Sequence, residues 1–500
     1  MNLHLISYRI LHPFLSVKHP FFVLWIVSIK ERFFSRESIR LSTKSKRAIA
    51  VAFGVVLMIS IMVFFPDRNQ YLTVKPQNND NPARINATEN SSASEQQVNN
   101  VTIAGSVAPS LSPPPYITTY QPPFLPTLPP GLIGSTQVTN STVWKKVAMN
   151  AWGYFQPDIG FINNVTGLPS AGSLWPFFTD WDLGVYIQAI LDARRIGLIE
   201  KEGPWGVYDR VDKVLTFLEN RKLTNESLPY WFYQAENGEP HPDFVSTNNY
   251  GYVSDAGRLL VALKNLKTYN NTYTTRIDNI TKNRMNYSAM LKEIDSLTGS
   301  NNIYDYFVAS GFAGFWPDKA NVPASIMNNI WSTPQIDFKG VKLPTAKISC
   351  EPILLSIFDL QHPDSRVFNL SRRVYRAHEA WFNYSGKYRA FSEGPINSGF
   401  VYEWVVLPDG RTWIVQNQEG SDLDIVPIVY TKVAFSFLAL HNTTFARDIV
   451  AFLEKNLLPP YIGYYVGISE DRENIETIGC NTNGLIISAA RYAIQKCNPP

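Results

Sequence analysis

Five apolar stretches between residues 181 and 494 repeat at helical spacing, and that recurrence constrains the fold more than any other feature of the chain. They are WDLGVYIQAILDARRIGLI (181–199), SDAGRLLVALKNLKTY (254–269), CEPILLSIFDL (350–360), TKVAFSFLALHN (431–442) and NTNGLIISAARYAI (481–494). In the first, Val185, Ala189, Leu191 and Ile196 fall at helical spacings and Gly197 acts as a stop signal, while Ser254 offers an N-cap to the second. More polar amphipathic stretches lie between them, such as VYDRVDKVLTFLENR (207–221) and TFARDIVAFLEKNLL (444–458). Apolar helices thus alternate with amphipathic ones, as an inner ring and an outer ring would require. The expected fold class is therefore mainly α: an (α/α) toroid of helical hairpins over residues 143–497. SGFVYEWVVLPDGRTWIVQ (398–416) interrupts this pattern with strand alternation around Pro408-Asp409-Gly410, and reads as a small β-hairpin insertion.

Four of the apolar stretches open alike: a short polar or acidic residue, often a Gly, then the apolar run. Asp182, Asp255 and Asn481 can be read as simple helix caps. The linkers preceding them carry more than caps require. GSLWPFFTDWDLG clusters Trp175 and Trp181 around Asp180 and Asp182, LPYWFYQAENGEPHPDF brings Trp231, STNNYGYVSDAG brings Tyr250 and Tyr252, and SGFAGFWPDK brings Trp316. Flat aromatic faces beside Asn and Asp suit sugar rings, whose C–H face is apolar and whose hydroxyls need paired hydrogen bonds. The expected substrate contacts are Trp181, Trp231, Tyr250, Asp255, Trp316, Trp404, Glu476, Asn481 and Asn483. The loops carrying Trp175, Trp231 and Trp316 are expected to rim the end where the inner helices begin.

Glycosidic cleavage needs one carboxylic acid to protonate the leaving oxygen and one carboxylate as base or nucleophile. Asp182 and Glu351 both stand at inner-helix starts, and Glu393 lies on a loop next to the hairpin. Because a helix N-terminus favours a carboxylate, Asp182 is expected as base or nucleophile and Glu351 or Glu393 as acid. Two other readings use the same fold: a non-catalytic glycan-binding or envelope-organising protein, and a polysaccharide lyase with Tyr250 as base and Arg258 as uronate neutraliser.

Ala48 to Phe65 is an uncharged run of 18 residues, about the minimum for a membrane helix. Residues 1–66 carry nine Lys+Arg against two Asp+Glu, which holds that side in the cytoplasm. Residues 1–47 are then a basic cytoplasmic segment, and the C-terminal part lies outside the cell. Twelve N-x-S/T sequons all follow the apolar run, as exterior glycosylation would require: Asn86, Asn90, Asn100, Asn140, Asn164, Asn225, Asn270, Asn279, Asn286, Asn369, Asn383 and Asn442. Residues 66–142, rich in Asn and Ser and then in Pro, read as a disordered stalk. The remainder of the chain has 36 basic and 40 acidic residues, which leaves no nucleic-acid footprint. Three cysteines allow at most one disulfide, Cys350–Cys480 or Cys480–Cys497, and no CxxC or HExxH points to a transition metal. No cofactor is expected. The expected partners are a polysaccharide or glycan, and the membrane through one helix.

The segments YRAHEAWFNYSGKYRAFSEGP, FVYEWVVLPDGRTW, TKVAFSFLAL and YYVGISEDRENIETIGCNTNGLIISAARY, in that order, resemble the domain of unknown function 3131 family. WDLGVYIQAILDARRIGLI, LPYWFYQAENG, SDAGRLLVAL and CEPILLSIFDL extend the resemblance to about residues 145–495. It implies a glucoamylase-like (α/α) toroid, a place on the cell envelope and polysaccharide chemistry. Ile468-Ser469-Glu470 departs from the glycine-tyrosine-glutamate that relatives carry, so the resemblance assigns no role to Glu470.

Overall fold

All five apolar stretches are helices, and they are buried nearly all round. In helix α2 every residue from Asp182 to Ala193 is buried. A computed structural model describes residues 140–396, 399–457 and 462–497. The principal helices are α1 (Ser141–Trp152), α2 (Asp180–Arg195), α3 (Val207–Asn220), α4 (Val253–Tyr269), α5 (Ile303–Ala313) and α6 (Asn321–Ser332). They continue with α7 (Cys350–Asp359), α8 (Ser365–Ser385), α9 (Thr431–His441), α10 (Thr444–Asn456) and α11 (Cys480–Cys497). Each inner helix packs on the next in the order α2, α4, α5, α7, α9, α11, and α11 packs back on α2, so six helices close a ring. Outside them, α3 covers α2, α6 covers α5, α8 covers α7, α10 covers α9 and α1 covers α11. Shorter helices at Thr274–Asp278 and Ser288–Ser296 back α4. The outer helices bury one stripe only; α8 turns Val367, Leu370, Val374, Tyr375 and His378 inward. The sixth inner helix, α5, was not among the expected five.

Small residues let the inner helices touch. A Cβ added at Gly311 would lie 2.2 Å from the carbonyl oxygen of Gly257, so α4 and α5 meet backbone to backbone there. Gly184 meets the backbone of Arg258 and Leu259 in the same way, and Gly484 meets the Val185 side chain. The inner helices run parallel. Beyond their first turns they are tied by Arg491 to Asp192 (3.1 Å), by Arg258 to Asp359 (2.9 Å), and by Asn265 Nδ2 to Gln188 Oε1 (2.8 Å) and the Asp359 carbonyl (2.7 Å). This buried polar layer fills the ring below its N-terminal end.

Small antiparallel sheets dress that end. Strands β1 (Phe177–Phe178) and β2 (Tyr233–Gln234) pair before α2, and β3 (Gln335–Phe338) pairs with β4 (Val341–Pro344). The expected hairpin is β6 (Gly399–Val406) and β7 (Thr412–Gln416), joined through Gly410 at φ +83° and in register Tyr402 with Gln416. A third strand, β5 (Glu393–Ile396), pairs on β6, so Glu393 stands on a strand rather than on the loop expected for it. The last sheet orders β10 (Asn474–Ile478), β9 (Tyr465–Ser469) and β8 (Ile428–Tyr430).

Three expectations about the chain need correction or fall outside this description. Cys350 and Cys480 are buried free thiols, and both candidate disulfides need Cys480, so neither forms. The N-cap of α4 is Tyr252, not Ser254. The apolar run 48–65, the stalk up to residue 139 and the sequons at Asn86, Asn90 and Asn100 lie outside the described residues. Among the described residues no helix is long and apolar enough to cross a membrane.

Candidate active site

The second or third residue of every inner helix contributes a polar side chain to one end of the ring. These residues are Asp182 of α2, Asp255 of α4, Tyr304 of α5, Glu351 of α7, Lys432 of α9 and Asn481 of α11. Parallel helices of similar register place their first turns at one level, and their orphan N–H groups make that level favourable for carboxylates.

Thr179 links the first two. It is the N-cap of α2 in a capping box: its main-chain N–H donates to Asp182 Oδ2 (3.0 Å) and its Oγ1 accepts from Trp181 N–H (3.1 Å). The same hydroxyl donates to Asp255 Oδ1 at 2.9 Å, across to the next helix. Burial pushes the Asp182 carboxyl up to about 6, opposed by the Thr179 hydrogen bonds. Burial likewise pushes Asp255 up to about 7, helped by the carboxylates of Asp180 and Asp182 and opposed by Thr179. Asp180 itself is paired with Arg221.

Glu351 and Glu393 form the other half. Glu351 has no exposed surface; it is ion-paired with Lys432, accepts from Ser392 Oγ (2.9 Å) and accepts from Asn481 Nδ2. Lys432 Nζ also donates to the main-chain carbonyl of Glu393 (2.9 Å). The Glu393 side chain keeps a small exposed edge. Burial first, then the Glu351 carboxylate, pushes it up to about 8 against the pull of Lys432. The Asp255 carboxylate adds to that rise, so the two halves are in electrostatic reach of each other. Tyr304 and Tyr402 stand beside Glu393, and burial with that carboxyl drives both phenols well above their ordinary range.

Aromatic rings wall the group. Trp404 stacks on Tyr402 (6.0 Å, 12°) and meets Tyr304 edge-on (5.8 Å), with half-buried Trp181 packed against them. On the Asp255 side Trp231 lies 4.7 Å from Tyr252, whose phenol is pushed up by burial and then by the Asp255 charge, and Trp175 stacks on His241. Tyr250 is exposed on the segment before α4, bridged to Tyr230. Several buried polar atoms here have no protein partner: Trp181 Nε1, Trp404 Nε1, Tyr430 Oη and Asn481 Oδ1. Buried groups of this kind require a partner, and these supply donors and an acceptor of the sort sugar hydroxyls satisfy.

Asp182, Asp255, Glu351, Glu393, Trp181, Trp231, Trp404 and Asn481 thus gather at one end. Others do not. Trp316 follows the C-terminal end of α5 and packs on Tyr287 and Phe312, away from the end that Tyr304 marks. Asn483 is fully buried, accepting from Tyr464 N–H (2.7 Å) and donating to the Tyr464 and Gly479 carbonyls, so its amide is spent inside the protein. Glu476 is exposed on β10 beside Tyr465. Arg258 is buried against Asp359 and is not available to a uronate. Thr179, Tyr304, Tyr402, Ser392 and Lys432 had no place in the expected site. Lys432 had a sequence signal, as the one charge in TKVAFSFLAL, and T-D-W-D at 179–182 has the form of a capping box.

No curated protein sequence matches the chain. Among solved structures it is similar to a glucoamylase-like protein of Bacteroides caccae, with TM-score 0.54 and 15% identity over 71% of this chain and 95% of that one. It is also similar to the endo-β-1,2-glucanase of Chitinophaga pinensis solved with sophorotriose and glucose (TM-score 0.50, 13% identity, 71% of this chain and 94% of that one). A third is the endo-β-1,2-glucanase of Talaromyces funiculosus solved with sophorose (TM-score 0.50, 11% identity, 73% and 87%). At these identities the likeness is one of fold: the glucoamylase-like ring of helical hairpins. The sequence profile of the family described as a protein of unknown function, DUF3131, matches residues 146–496, and the chain belongs to that family.

Proposed function

We propose that the chain is a glycoside hydrolase acting on a polysaccharide or glycan, with Glu393 as the proton donor and Asp255 as the base or nucleophile. One observation carries this reading: two buried carboxyls at the aromatic mouth of the ring, each on a residue with a small exposed edge, interact electrostatically, one pushed up to about 8 and the other to about 7. Near neutral pH Glu393 keeps a proton to place on the glycosidic oxygen. The C1–O bond then breaks with its electrons moving to that oxygen. Asp255, ionised in part of the population, takes a proton from the attacking water or attacks C1 itself. Asp182 holds Thr179, and Thr179 holds Asp255. Glu351 is unsuited to proton donation, because it has no exposed surface and its oxygens are occupied by Lys432, Ser392 and Asn481.

The likeness to two endo-β-1,2-glucanases makes β-1,2-glucan the first polymer to try. The test is reducing-sugar release from β-1,2-glucan and a panel of other glucans by the wild type, Glu393→Gln and Asp255→Asn. Release by the wild type and its loss in both variants support the reading. Oligosaccharide binding without release from any polymer leaves a glycan-binding protein instead.

The same proposal places the domain outside the cell, anchored by the apolar run 48–65. Its support is the basic flank of that run and the sequons that follow it. Of the nine sequon asparagines among the described residues, seven are exposed and two, Asn270 and Asn442, half-buried. Protease added to intact cells should remove the region after residue 70 and leave a short basic stub. A stub protected together with residues 145–497 refutes that orientation.

A further inference from the structure

Outside the ring, a cavity of about 570 Å³ lies between the segment 281–291 and the end of α5. We propose that this cavity is a second saccharide-binding site, built to seat a pyranose ring on Trp316. The ring lumen lies on the other side of α4 and α5, and the proposal does not depend on hydrolysis there.

Trp316 is half-buried and fixed: Tyr287 meets it edge-on at 5.5 Å and 73°, and Phe312 supports it at 5.7 Å and 30°. A rigid, partly exposed indole is a stacking platform for the apolar face of a sugar. The facing wall is polar, and it is unusual backbone. Residues Asn279–Arg284 are wound as a π-helix, a rare form that is concentrated at functional sites. Arg284 pins that turn to the end of α3, donating to the carbonyls of Leu218 (3.1 Å) and Arg221.

The turn leaves hydrogen-bonding capacity at the cavity. Asn283 donates to Asn279 Oδ1 (3.0 Å), which leaves its own carbonyl oxygen to accept. Asn286 accepts from Ser288 N–H (3.2 Å), which leaves its amide hydrogens to donate. Lys282 is half exposed and only loosely paired with Asp278 (3.6 Å). An aromatic plate faced by an amide donor, an amide acceptor and an ammonium matches the alternating C–H face and hydroxyl edge of a neutral or N-acetylated hexose. A volume of about 570 Å³ falls within the ordinary range for small-ligand sites, roughly 300–1,000 Å³.

Two sources can supply such a ring. One is a free oligosaccharide, a stretch of polymer held away from the lumen. The other is a glycan on Asn286, because Asn286-Tyr287-Ser288 is a sequon whose asparagine lines the cavity.

The full-length chain, made in a host without N-glycosylation, is titrated with sophorose, longer β-1,2-gluco-oligosaccharides and chitobiose while tryptophan fluorescence is followed. If the source is a free oligosaccharide, Trp316→Ala weakens one binding event by about tenfold and Trp316→Phe by much less. Asn283→Ala, at an exposed position where misfolding is not at issue, weakens the same event, and sugar release by the lumen is unchanged in all three. If the source is the attached glycan, free sugars do not respond to these variants. Mass spectrometry of protein from the native host then finds Asn286 modified, and Trp316→Ala lowers the melting temperature of the glycosylated chain but not of Asn286→Gln. Either pattern supports the site. If no oligosaccharide binding depends on Trp316 or Asn283, and Asn286 is unmodified or its glycan is indifferent to Trp316, the proposal is overturned, whether or not Glu393→Gln abolishes hydrolysis.

Discussion

The ammonium of Lys432 donates to the main-chain carbonyl of Glu393 at 2.9 Å while its charge is paired with Glu351. One buried cation therefore fixes the strand that carries one carboxyl and compensates the charge of another. Glu393→Gln and Glu351→Gln should consequently behave as opposites. The first removes a proton donor at the surface of the group, so sugar release should fall roughly 10²–10⁴-fold with little change in melting temperature. The second strands a buried ammonium, so stability should fall by about 3–5 kcal/mol. Parallel assays and thermal melts decide it; a stable, inactive Glu351→Gln with a fully active Glu393→Gln reverses the assignment.

The two carboxyls also set a pH window. Asp255 must lose its proton to act, so activity should rise as pH climbs through about 7. Glu393 must keep its proton, so activity should decline as pH passes about 8. The two interact, so the limbs of the profile belong to the pair rather than to either residue. The pH profile of kcat/KM on the best polymer should be a narrow bell on the alkaline side of neutrality. An optimum with both limbs in the ordinary carboxylate range contradicts the buried pair.

Asp255 should also weaken the fold that holds it. Its carboxyl rises from 3.8 to about 7 on folding, so the native state favours the protonated form. The group's contribution to stability is intact below the unfolded value, falls as pH rises from there, and is fully lost above about 7. Asp255→Asn removes the buried charge and keeps an oxygen for the Thr179 hydroxyl. At about pH 9 the variant should melt higher than the wild type while releasing no sugar, and the gap should close as pH falls towards about 4. A lower melting temperature at alkaline pH means that the charge is stabilised by something other than Thr179.

Much of this architecture is legible in the sequence because burial on all sides leaves an unmistakable composition. Five inner helices read as apolar runs, α3 and α10 read as one-sided, and Pro408-Asp409-Gly410 marked the hairpin turn. The sixth inner helix, α5, was hidden because in IYDYFVASGFA the first-turn acid, Asp305, is not followed two residues on by the Gly that α2 and α4 carry. Glu393, Glu351, Asp182 and Asp255 were legible as carboxylates at helix starts or beside the hairpin. Which of them has its oxygens already occupied was not, since that depends on Lys432, which lies 81 residues from Glu351 in sequence and sits beside it in space. Trp316 and Asn483 had the composition of site residues, and only the packing separates a ring on the outer wall from one at the mouth.

Close backbone contacts between inner helices hold the ring together with its apolar surface. A methyl at Gly311 would stand 2.2 Å from the Gly257 carbonyl oxygen, and one at Gly257 would stand 2.8–2.9 Å from Val308. Neither neighbour is the flexible end of a side chain, so α4 and α5 must separate to admit either. Tyr304 and Asp255 sit in the first turns of those two helices, and a separation moves them apart. Gly311→Ala should therefore cost at least about 1–3 kcal/mol of stability, the range for overpacking, and lower activity beyond the loss of folded protein. Gly299→Ala is the control, because nothing lies within 4 Å of its added methyl. Chemical denaturation with activity normalised to the folded fraction checks both. A Gly311→Ala protein as stable and active as Gly299→Ala means that the two helices do not need to touch.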